Sequence, residues 1–228
     1  MYTGTPMTII AICAQKGGCG KTTLALSLAV AADQAGFTTA VIDLDPQATA
    51  SVWADRRRHQ PPVVVSAQAA RLPAVLETAR AQDVQIVIID TPPRAEQAAL
   101  AAAKAATRIL IPCRPAIFDL DTLAATLELI ALASHVPVAA VLTHVPPQGQ
   151  ETAQARAALA TLGLPVCPVS IGHRKAFPHA AALGLTPSEY DPLGKAAAEI
   201  AAVAHWMTGR PIGPSTGAQD ATTAGMHA

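Results

Sequence analysis

Short apolar runs alternate with alanine-rich stretches of helical character along this sequence, and the alternation restricts the fold more than any other feature. Two weak strand candidates lie at 61–65 and 164–169. Buried strands are predicted most clearly over 7–14, 38–45, 84–90, 107–113 and 136–143. Helices are predicted near 21–35, 47–58, 71–81, 95–105, 119–133, 151–162 and 191–208. Strands separated by helices pair in parallel, so we expect an α/β fold with a doubly wound, mostly parallel sheet of about seven strands flanked by helices.

Domain organisation is simple, because no repeat or linker interrupts residues 7–208. We therefore predict a single domain over 1–208. The segment 209–228 is rich in Gly, Pro, Ser, Thr and Ala, and this composition predicts a disordered tail.

Composition narrows the possible functions. Hydrophobic residues make up 51 % of the chain but aromatic residues only 3 %, which suits a helix-covered sheet and provides no aromatic platform for stacking single-stranded bases. The formal net charge is zero, so DNA binding would require a local basic face.

The cysteine pattern argues against a zinc or redox site, because it contains no C-x-x-C pair. The residues concerned are Cys13, Cys19, Cys113 and Cys167. Scattered free thiols are typical of a reducing cytosol. No apolar run reaches the length of a membrane span, so a cytoplasmic protein is expected.

A segment rich in glycine and lysine, KGGCGKTT at 16–23, joins the first predicted strand to the first predicted helix. The backbone N–H groups of such a turn converge on an anion at the positive end of the helix. Lys21 is predicted to reach the terminal phosphates and Thr22 to bind Mg²⁺. The alternative is a turn that only connects strand and helix. The predicted nucleotide-binding residues are Gly17, Gly18, Cys19, Gly20, Lys21, Thr22 and Thr23.

This segment departs from the standard phosphate loop, because Gln15 stands where the first glycine is usual and Lys16 adds a second lysine. It resembles the deviant Walker A box of the ParA/MinD family of ATPases. The resemblance covers residues 7 to about 208 and implies a P-loop NTPase fold, ATP and Mg²⁺ as cofactors, and a homodimer in the ATP state. It also implies that Lys16 acts on the partner's nucleotide, whereas Lys21 serves its own.

Carboxylates follow two further predicted strands, in VIDLDPQ (41–47) and IVIIDTPP (86–93). In the family, an aspartate of the first segment orients the attacking water and assists Mg²⁺. The resemblance assigns the water to Asp45 and metal support to Asp43; the alternative is that the pair caps the next helix. Asp90 matches the Walker B aspartate that holds Mg²⁺ through water. The predicted catalytic residues are thus Lys16, Lys21 and Asp45, and the predicted metal residues are Thr22, Asp43 and Asp90.

Two more segments match the family near the nucleotide. Residues 91–93 (Thr-Pro-Pro) match a switch that senses the γ-phosphate. In VLTHVPPQG (141–149) the family often carries an asparagine beside the adenine, and here Thr143 holds that place with His144 next. The preference for ATP over GTP is therefore implied by the family and not by these residues.

The branch of the family is inferred from the ends of the chain. The tail lacks the basic amphipathic helix with which MinD-like members bind membranes, and the cysteines lack the pairing that nitrogenase iron-protein relatives use for a cluster. The start near the first strand resembles the short, ParF-like ParA class. That class implies non-specific binding to duplex DNA, a ParB-type partner that stimulates ATP hydrolysis, plasmid or chromosome partition, and a cytoplasmic, nucleoid-associated location.

Non-specific DNA binding needs several Lys or Arg side chains on one face. The candidates are Arg174, Lys175 and Lys195, with Arg210 further on. The densest basic cluster, RRRHQ at 56–60, fits a solvated helix end as well as it fits DNA contact. Two other functions remain open: a positioning ATPase for cargo other than DNA, and an ATP-dependent small-molecule synthetase of the dethiobiotin synthetase type.

Overall fold

Six strands form one parallel sheet in the computed structural model, which describes residues 6–57, 60–116 and 122–209. The strands are β1 (Thr8–Ile12), β2 (Thr39–Asp43), β3 (Val63–Ser66), β4 (Ile86–Asp90), β5 (Arg108–Cys113) and β6 (Val138–Leu142). Their order across the sheet is β3-β2-β4-β1-β5-β6, and every neighbouring pair is parallel. The predicted α/β fold is confirmed.

Helices follow most strands, as the alternating pattern predicts. In chain order they are α1 (Lys21–Gln34), α2 (Thr49–Arg56), α3 (Leu72–Ala81), α4 (Glu96–Ala105), α5 (Leu123–Ala133), α6 (Glu151–Thr161), α7 (Ala176–Ala182), α8 (Pro187–Tyr190) and α9 (Lys195–Thr208), with a 3₁₀ turn at Ala69–Arg71. The short helices α7 and α8 are additional to the prediction. The last helix begins at Lys195 instead of residue 191, because Gly194 before it has extended backbone angles.

The prediction of about seven strands is too high by one within the described residues. The seventh candidate, 164–169, adds only an isolated bridge between Val166 and Ala140. Pro165 and Pro168 flank this bridge, and a proline has no N–H to extend the ladder. The segment therefore pairs with β6 only through the hydrogen bonds that Ala140 makes with Pro165 and Cys167.

Helices cover both faces of the sheet. Along β1, Ile9 and Ala11 pack into one apolar layer with α3, α4, α5 and α6, whereas Ile10 and Ile12 pack into the other with α1, α2 and α9. Aliphatic side chains and alanines dominate both layers, as the low aromatic content requires. Among the described helices, the longest have 14 residues, and none is long and apolar enough to cross a bilayer.

The sheet order determines where the predicted site forms. Strands β2, β4 and β1 are neighbours, and Asp90 is in register with both Asp43 and Ile12. The loops that follow these three strands therefore meet at one edge of the sheet, where ligands of open α/β folds bind. Parts of the prediction lie outside the described residues: the tail beyond residue 209, which includes Arg210, residues 58–59 of the basic cluster, and residues 119–121 of the predicted helix 119–133.

Candidate functional site

The glycine-rich loop between β1 and α1 has the backbone of an anion-binding turn. Gly18 and Gly20 have φ of 71° and 89°, which a residue with a side chain adopts only with strain. Gly17 and Gly18 are exposed, and Gly20 stands directly before α1. No described side chain caps the N-terminus of α1, so its first N–H groups remain available to an anion.

Lys21 is buried and lies across this loop. Its Nζ donates a hydrogen bond of 3.0 Å to the backbone carbonyl of Lys16, and Cys19 Sγ donates to the same carbonyl at 3.3 Å. A phosphate oxygen in the loop would compete with that carbonyl for the ammonium group, since a charged acceptor binds it more strongly. The action of Lys16 on a partner's nucleotide stays a prediction.

Asp90 and Thr22 meet where β4 ends and α1 begins. Thr22 Oγ1 donates to Asp90 Oδ2 over 2.6 Å. Asp90 is buried, and its Oδ1 has no hydrogen-bond partner within the described structure. The pKa of Asp90 is raised to about 7, chiefly by burial; Asp43 and Asp45 contribute to the rise, whereas the Thr22 hydrogen bond and Lys21 oppose it.

The residues present at this point fit a magnesium ion. A buried carboxylate oxygen without a partner, beside a threonine hydroxyl, provides the hard oxygen donors that Mg²⁺ prefers. A cation there would also reverse the burial effect on Asp90. Within the described ranges, no group of three or more His, Cys, Asp or Glu side chains could hold a metal. The ion would therefore take its remaining ligands from water and phosphate, as Mg²⁺ usually does.

Asp43 is fully buried at the end of β2, and its carboxylate caps α2. Its Oδ1 accepts the N–H of Asp45 at 3.0 Å, and its Oδ2 accepts those of Ala50 and Ser51 at 3.1 and 3.4 Å. Burial raises the pKa of Asp43, and these three hydrogen bonds oppose that rise. The helix-capping alternative thus describes this carboxylate, and a metal role for Asp43 stays a prediction.

Asp45 differs from Asp43 in its surroundings. It is half-buried in the loop after β2, its Oδ1 accepts the N–H of Gln47 at 2.9 Å, and it borders a cavity of about 930 Å³. This position is open enough for a water molecule to approach the carboxylate. The role of Asp45 in orienting water stays a prediction.

The loop after β4 packs against the phosphate loop. The Thr91 hydroxyl donates to the carbonyl of Ile12 in β1 at 2.8 Å, and Pro93 lies 4.0 Å from where a Cβ on Gly17 would stand. The predicted switch, residues 91–93, therefore contacts the loop whose contents it would sense.

A second cavity, of about 360 Å³, opens beside the start of α1 and shares Gly20 and Thr23 with the phosphate loop. His144 and His173 stand on its wall with their ring centroids 5.7 Å apart. Its place next to the loop makes it the candidate base pocket. Thr143 also borders this cavity, but its buried hydroxyl donates to the carbonyl of Cys19 at 2.8 Å, so this residue connects the end of β6 to the phosphate loop.

The predicted DNA-binding residues have different environments. Lys175 and Lys195 are exposed. Arg174 instead forms a bidentate ion pair with Glu199 of α9, which also raises the pKa of Arg174. The DNA role of all three stays a prediction, but the charge of Arg174 is already balanced.

The basic cluster at 56–60 contains a buried structural residue. Arg57 pairs with Glu189 at 2.7 Å, donates to the carbonyl of Gly184 and stacks on Trp53. Neither alternative considered for this cluster describes that environment. The sequence analysis did not predict the pairing of Arg57 with Glu189. Thr186 and Glu189 do form a capping box, which marks the start of α8.

All four cysteines are buried, as free thiols within the packed layers. Burial raises the pKa of Cys13 to about 12 and raises that of Cys167. Cys113 and Cys167 are therefore buried thiols, which is the alternative that the sequence favoured for them.

Comparison with known proteins supports a nucleotide-binding site at this edge of the sheet. A family model described as the CobQ/CobB/MinD/ParA nucleotide binding domain matches residues 10–187. The chain belongs to this family. As a ParA/MinD-type nucleotide-binding protein, it carries the family's phosphate loop, with its second lysine, at the edge of the sheet where β1, β2 and β4 end.

Relatives within the family have more specific names. The maintenance of carboxysome distribution protein A of Gloeobacter kilaueensis is 35 % identical over 181 residues, which cover 78 % of this chain and 82 % of that protein. The protein ParA of Rhizobium radiobacter is 28 % identical over 127 residues, 55 % of this chain and 57 % of that protein. An ATP complex of a McdA variant from Cyanothece has a TM-score of 0.72 and 20 % identity, and covers 90 % of this chain and 98 % of that one.

Proposed function

We propose that this protein is a ParA/MinD-type ATPase that positions a protein cargo, in the manner indicated by the name of its carboxysome-distribution relative. The observation that carries the proposal is the meeting of the two-lysine phosphate loop with Thr22, Asp90 and Asp45 at one edge of the sheet. The 35 % identity to a cargo-distribution protein supports a cargo other than DNA. DNA partition, favoured from the sequence, becomes the second candidate.

The chemistry is hydrolysis of ATP to ADP and phosphate. The glycine-rich loop and the N-terminus of α1 bind the phosphates, and Lys21 leaves the carbonyl of Lys16 to contact them. Thr22 and Asp90 would hold Mg²⁺, which neutralises charge on the phosphate oxygens when bound. Asp45 orients the attacking water, and Lys16 of a second protomer offsets the charge that develops. Hydrolysis then resets a dimerisation switch.

The cavity beside Asp45 argues against a small-molecule synthetase. The residues that line it lie at 44–47, 66–70, 92–93, 95 and 97–98, in the loops after β2, β3 and β4 and at the start of α4. Asp45 carries the charge among the described lining residues, which include no lysine or arginine. Substrates of amidating or carboxylate-activating enzymes are themselves anionic, so the carboxylate of Asp45 disfavours their binding in this cavity.

DNA partition keeps support from the ParA relative and from the exposed Lys175 and Lys195. A dimer doubles such a face, so a weak basic surface on one protomer becomes adequate on two. Binding to duplex DNA is compatible with both candidates, because a positioning ATPase also needs a surface on which to distribute its cargo. The identities of the partner protein and of the cargo distinguish protein positioning from DNA partition.

The test compares ATP hydrolysis alone, with duplex DNA, and with the product of the adjacent gene added. We expect slow basal hydrolysis that the partner protein accelerates, and a purified partner that assembles with a protein compartment. The variant Asp45→Ala should bind ATP and accumulate as a dimer without hydrolysis. A partner that binds a specific DNA sequence would favour partition, and phosphate release that depends only on a metabolite would reject both candidates.

A further inference from the structure

Arg174 has surroundings that suit a ligand contact better than a DNA contact. Its guanidinium donates from Nε to Glu199 Oε2 at 3.0 Å and from a second nitrogen to Glu199 Oε1. Its side chain is 33 % exposed and that of Glu199 is 19 % exposed. The charge of the pair is balanced, so it has little net attraction for a DNA phosphate, which needs an uncompensated cation.

The same pair is also held against Gly172. Glu199 also accepts the backbone N–H of Gly172 at 3.1 Å, and it is followed in α9 by the fully buried Ile200. A Cβ on Gly172 would stand only 3.1 to 3.2 Å from atoms of the Arg174 guanidinium. Gly172 therefore lets the guanidinium lie close against the backbone, in a fixed orientation.

Arg174 borders the cavity of about 360 Å³ that adjoins the phosphate loop. Gly20 and Thr23 belong to both the cavity and the predicted phosphate site, and Phe177 provides a flat apolar wall. A nucleotide whose phosphates occupy the loop would direct its base into this space. A purine is flat and uncharged, and a guanidinium held by a carboxylate can stack on its face without losing its ion pair.

We propose that Arg174, positioned by Glu199, is a nucleoside-binding residue that stacks on the base of the bound nucleotide, and that it does not contact DNA. The inference rests on the nucleotide binding proposed above. It assigns Arg174 to the base pocket and leaves the DNA-binding prediction to Lys175 and Lys195. Glu199 is a positioning residue, because it acts on the nucleotide only through Arg174.

The experiment measures the affinity of the full chain for ATP and for inorganic tripolyphosphate, which has no base or ribose. Arg174→Ala should weaken ATP binding about tenfold, the order of a lost cation–π contact with partial desolvation, and leave tripolyphosphate binding unchanged. Glu199→Gln should weaken ATP binding less, in the same direction. Arg80→Ala is the matched control, since this exposed arginine is also paired with a glutamate, Glu77, and does not border the cavity; it should change neither affinity.

Duplex DNA binding at saturating ATP completes the test, and Arg174→Ala should leave it unchanged. The inference is overturned if Arg174→Ala binds ATP as tightly as the unsubstituted chain, or if ATP and tripolyphosphate weaken equally, which is the sign of a structural role. A loss of DNA affinity in Arg174→Ala at saturating ATP also overturns it. A parent chain that binds neither ATP nor tripolyphosphate would instead reject the proposed function.

Discussion

The hydroxyl of Thr22 donates a 2.6 Å hydrogen bond to one oxygen of Asp90, while the other oxygen of Asp90 lies buried with no partner in the described structure. A buried acceptor without a partner costs free energy that a cation can recover. The pair joins the first turn of α1 to the end of β4, so it connects the phosphate loop to the predicted metal position.

Two substitutions of Thr22 distinguish the contribution of its hydroxyl group from that of its shape. Thr22→Ser keeps the oxygen and should retain Mg²⁺-dependent ATP hydrolysis. Thr22→Val keeps the shape, removes the predicted metal ligand and the donor to Asp90, and should lower the rate by about a hundredfold or more. Phosphate release measured over a series of Mg²⁺ concentrations checks this. Hydrolysis by Thr22→Val at the unsubstituted rate would remove Thr22 from the metal site.

Stability without nucleotide or Mg²⁺ should depend on pH through Asp90. Burial, assisted by Asp43 and Asp45, raises the pKa of Asp90 to about 7, whereas the unfolded chain has the ordinary value near 3.9. The folded chain then binds the proton more tightly, and this contribution to stability is present below about pH 4 and lost as the pH rises through 7. At about 1.4 kcal/mol per pKa unit, the loss is at most roughly 4 kcal/mol.

Urea unfolding from pH 5 to 8 measures this loss. Asp90→Asn cannot titrate, so its free energy of unfolding should fall less steeply over that interval than that of the unsubstituted chain. Equal slopes for the two proteins would show that Asp90 is already ionised in the folded state. Added Mg²⁺ and ATP should lessen the difference, because a bound cation favours the ionised carboxylate.

Asp43 and Asp45 should differ in their effects on stability, although both follow the same strand. Asp43→Ala leaves the backbone N–H groups of Asp45, Ala50 and Ser51 without their acceptor, and should lower the free energy of unfolding by about 1–3 kcal/mol. Asp45→Ala is the control, since its carboxylate accepts one backbone N–H in an exposed turn. Equal losses in chemical denaturation would contradict the assignment of the helix cap to Asp43.

Lys16 should be required for the ATP-bound dimer and not for folding. Lys16→Ala should retain ATP binding, because Lys21 remains, yet fail to dimerise in light scattering with ATP and Mg²⁺. The exposed Lys104 on α4 provides a control of equal charge, and Lys104→Ala should dimerise normally. A dimer of unchanged stability in Lys16→Ala would refute the action of this lysine across the interface.

The ion pair of the buried Arg57 and the half-buried Glu189 should show strong coupling in a double-mutant cycle. Removing either partner leaves a buried charge, so Arg57→Leu or Glu189→Leu should each lower the free energy of unfolding by about 3–5 kcal/mol. The double variant should lose clearly less than the sum of the two, since no isolated charge remains. Additive losses would mean that the two side chains do not act as a pair.

The sequence predicted the phosphate loop and most of the sheet well, because both depend on short-range patterns. Apolar runs of strand length identify β1, β2, β4, β5 and β6, and the glycines at 18 and 20 have the positive φ that such a turn requires. Pro165 and Pro168 explain why the predicted seventh strand forms only an isolated bridge. An apolar run predicts a strand from its side chains, and it takes no account of the backbone N–H groups that prolines lack.

Side-chain partners were beyond the reach of the sequence, because the residues that pair are far apart along the chain. Arg57 meets Glu189 across 132 positions, and Thr143 meets Cys19 across 124. The basic cluster therefore suggested a solvated helix end or a DNA contact, where the fold instead provides a buried ion pair at Arg57. Nothing in the sequence indicated that Thr143 bonds to the phosphate loop. A charged residue contacts a ligand or the protein itself according to what the packed chain places beside it.

The sequence by itself determined that the chain forms a parallel α/β sheet with a two-lysine phosphate loop after its first strand, since local periodicity and glycine spacing specify both. Only the tertiary structure decided which carboxylate caps a helix and which has an oxygen left for a cation, and which arginines have their charge balanced. Burial and hydrogen bonding set those differences, and both arise only when distant segments pack together.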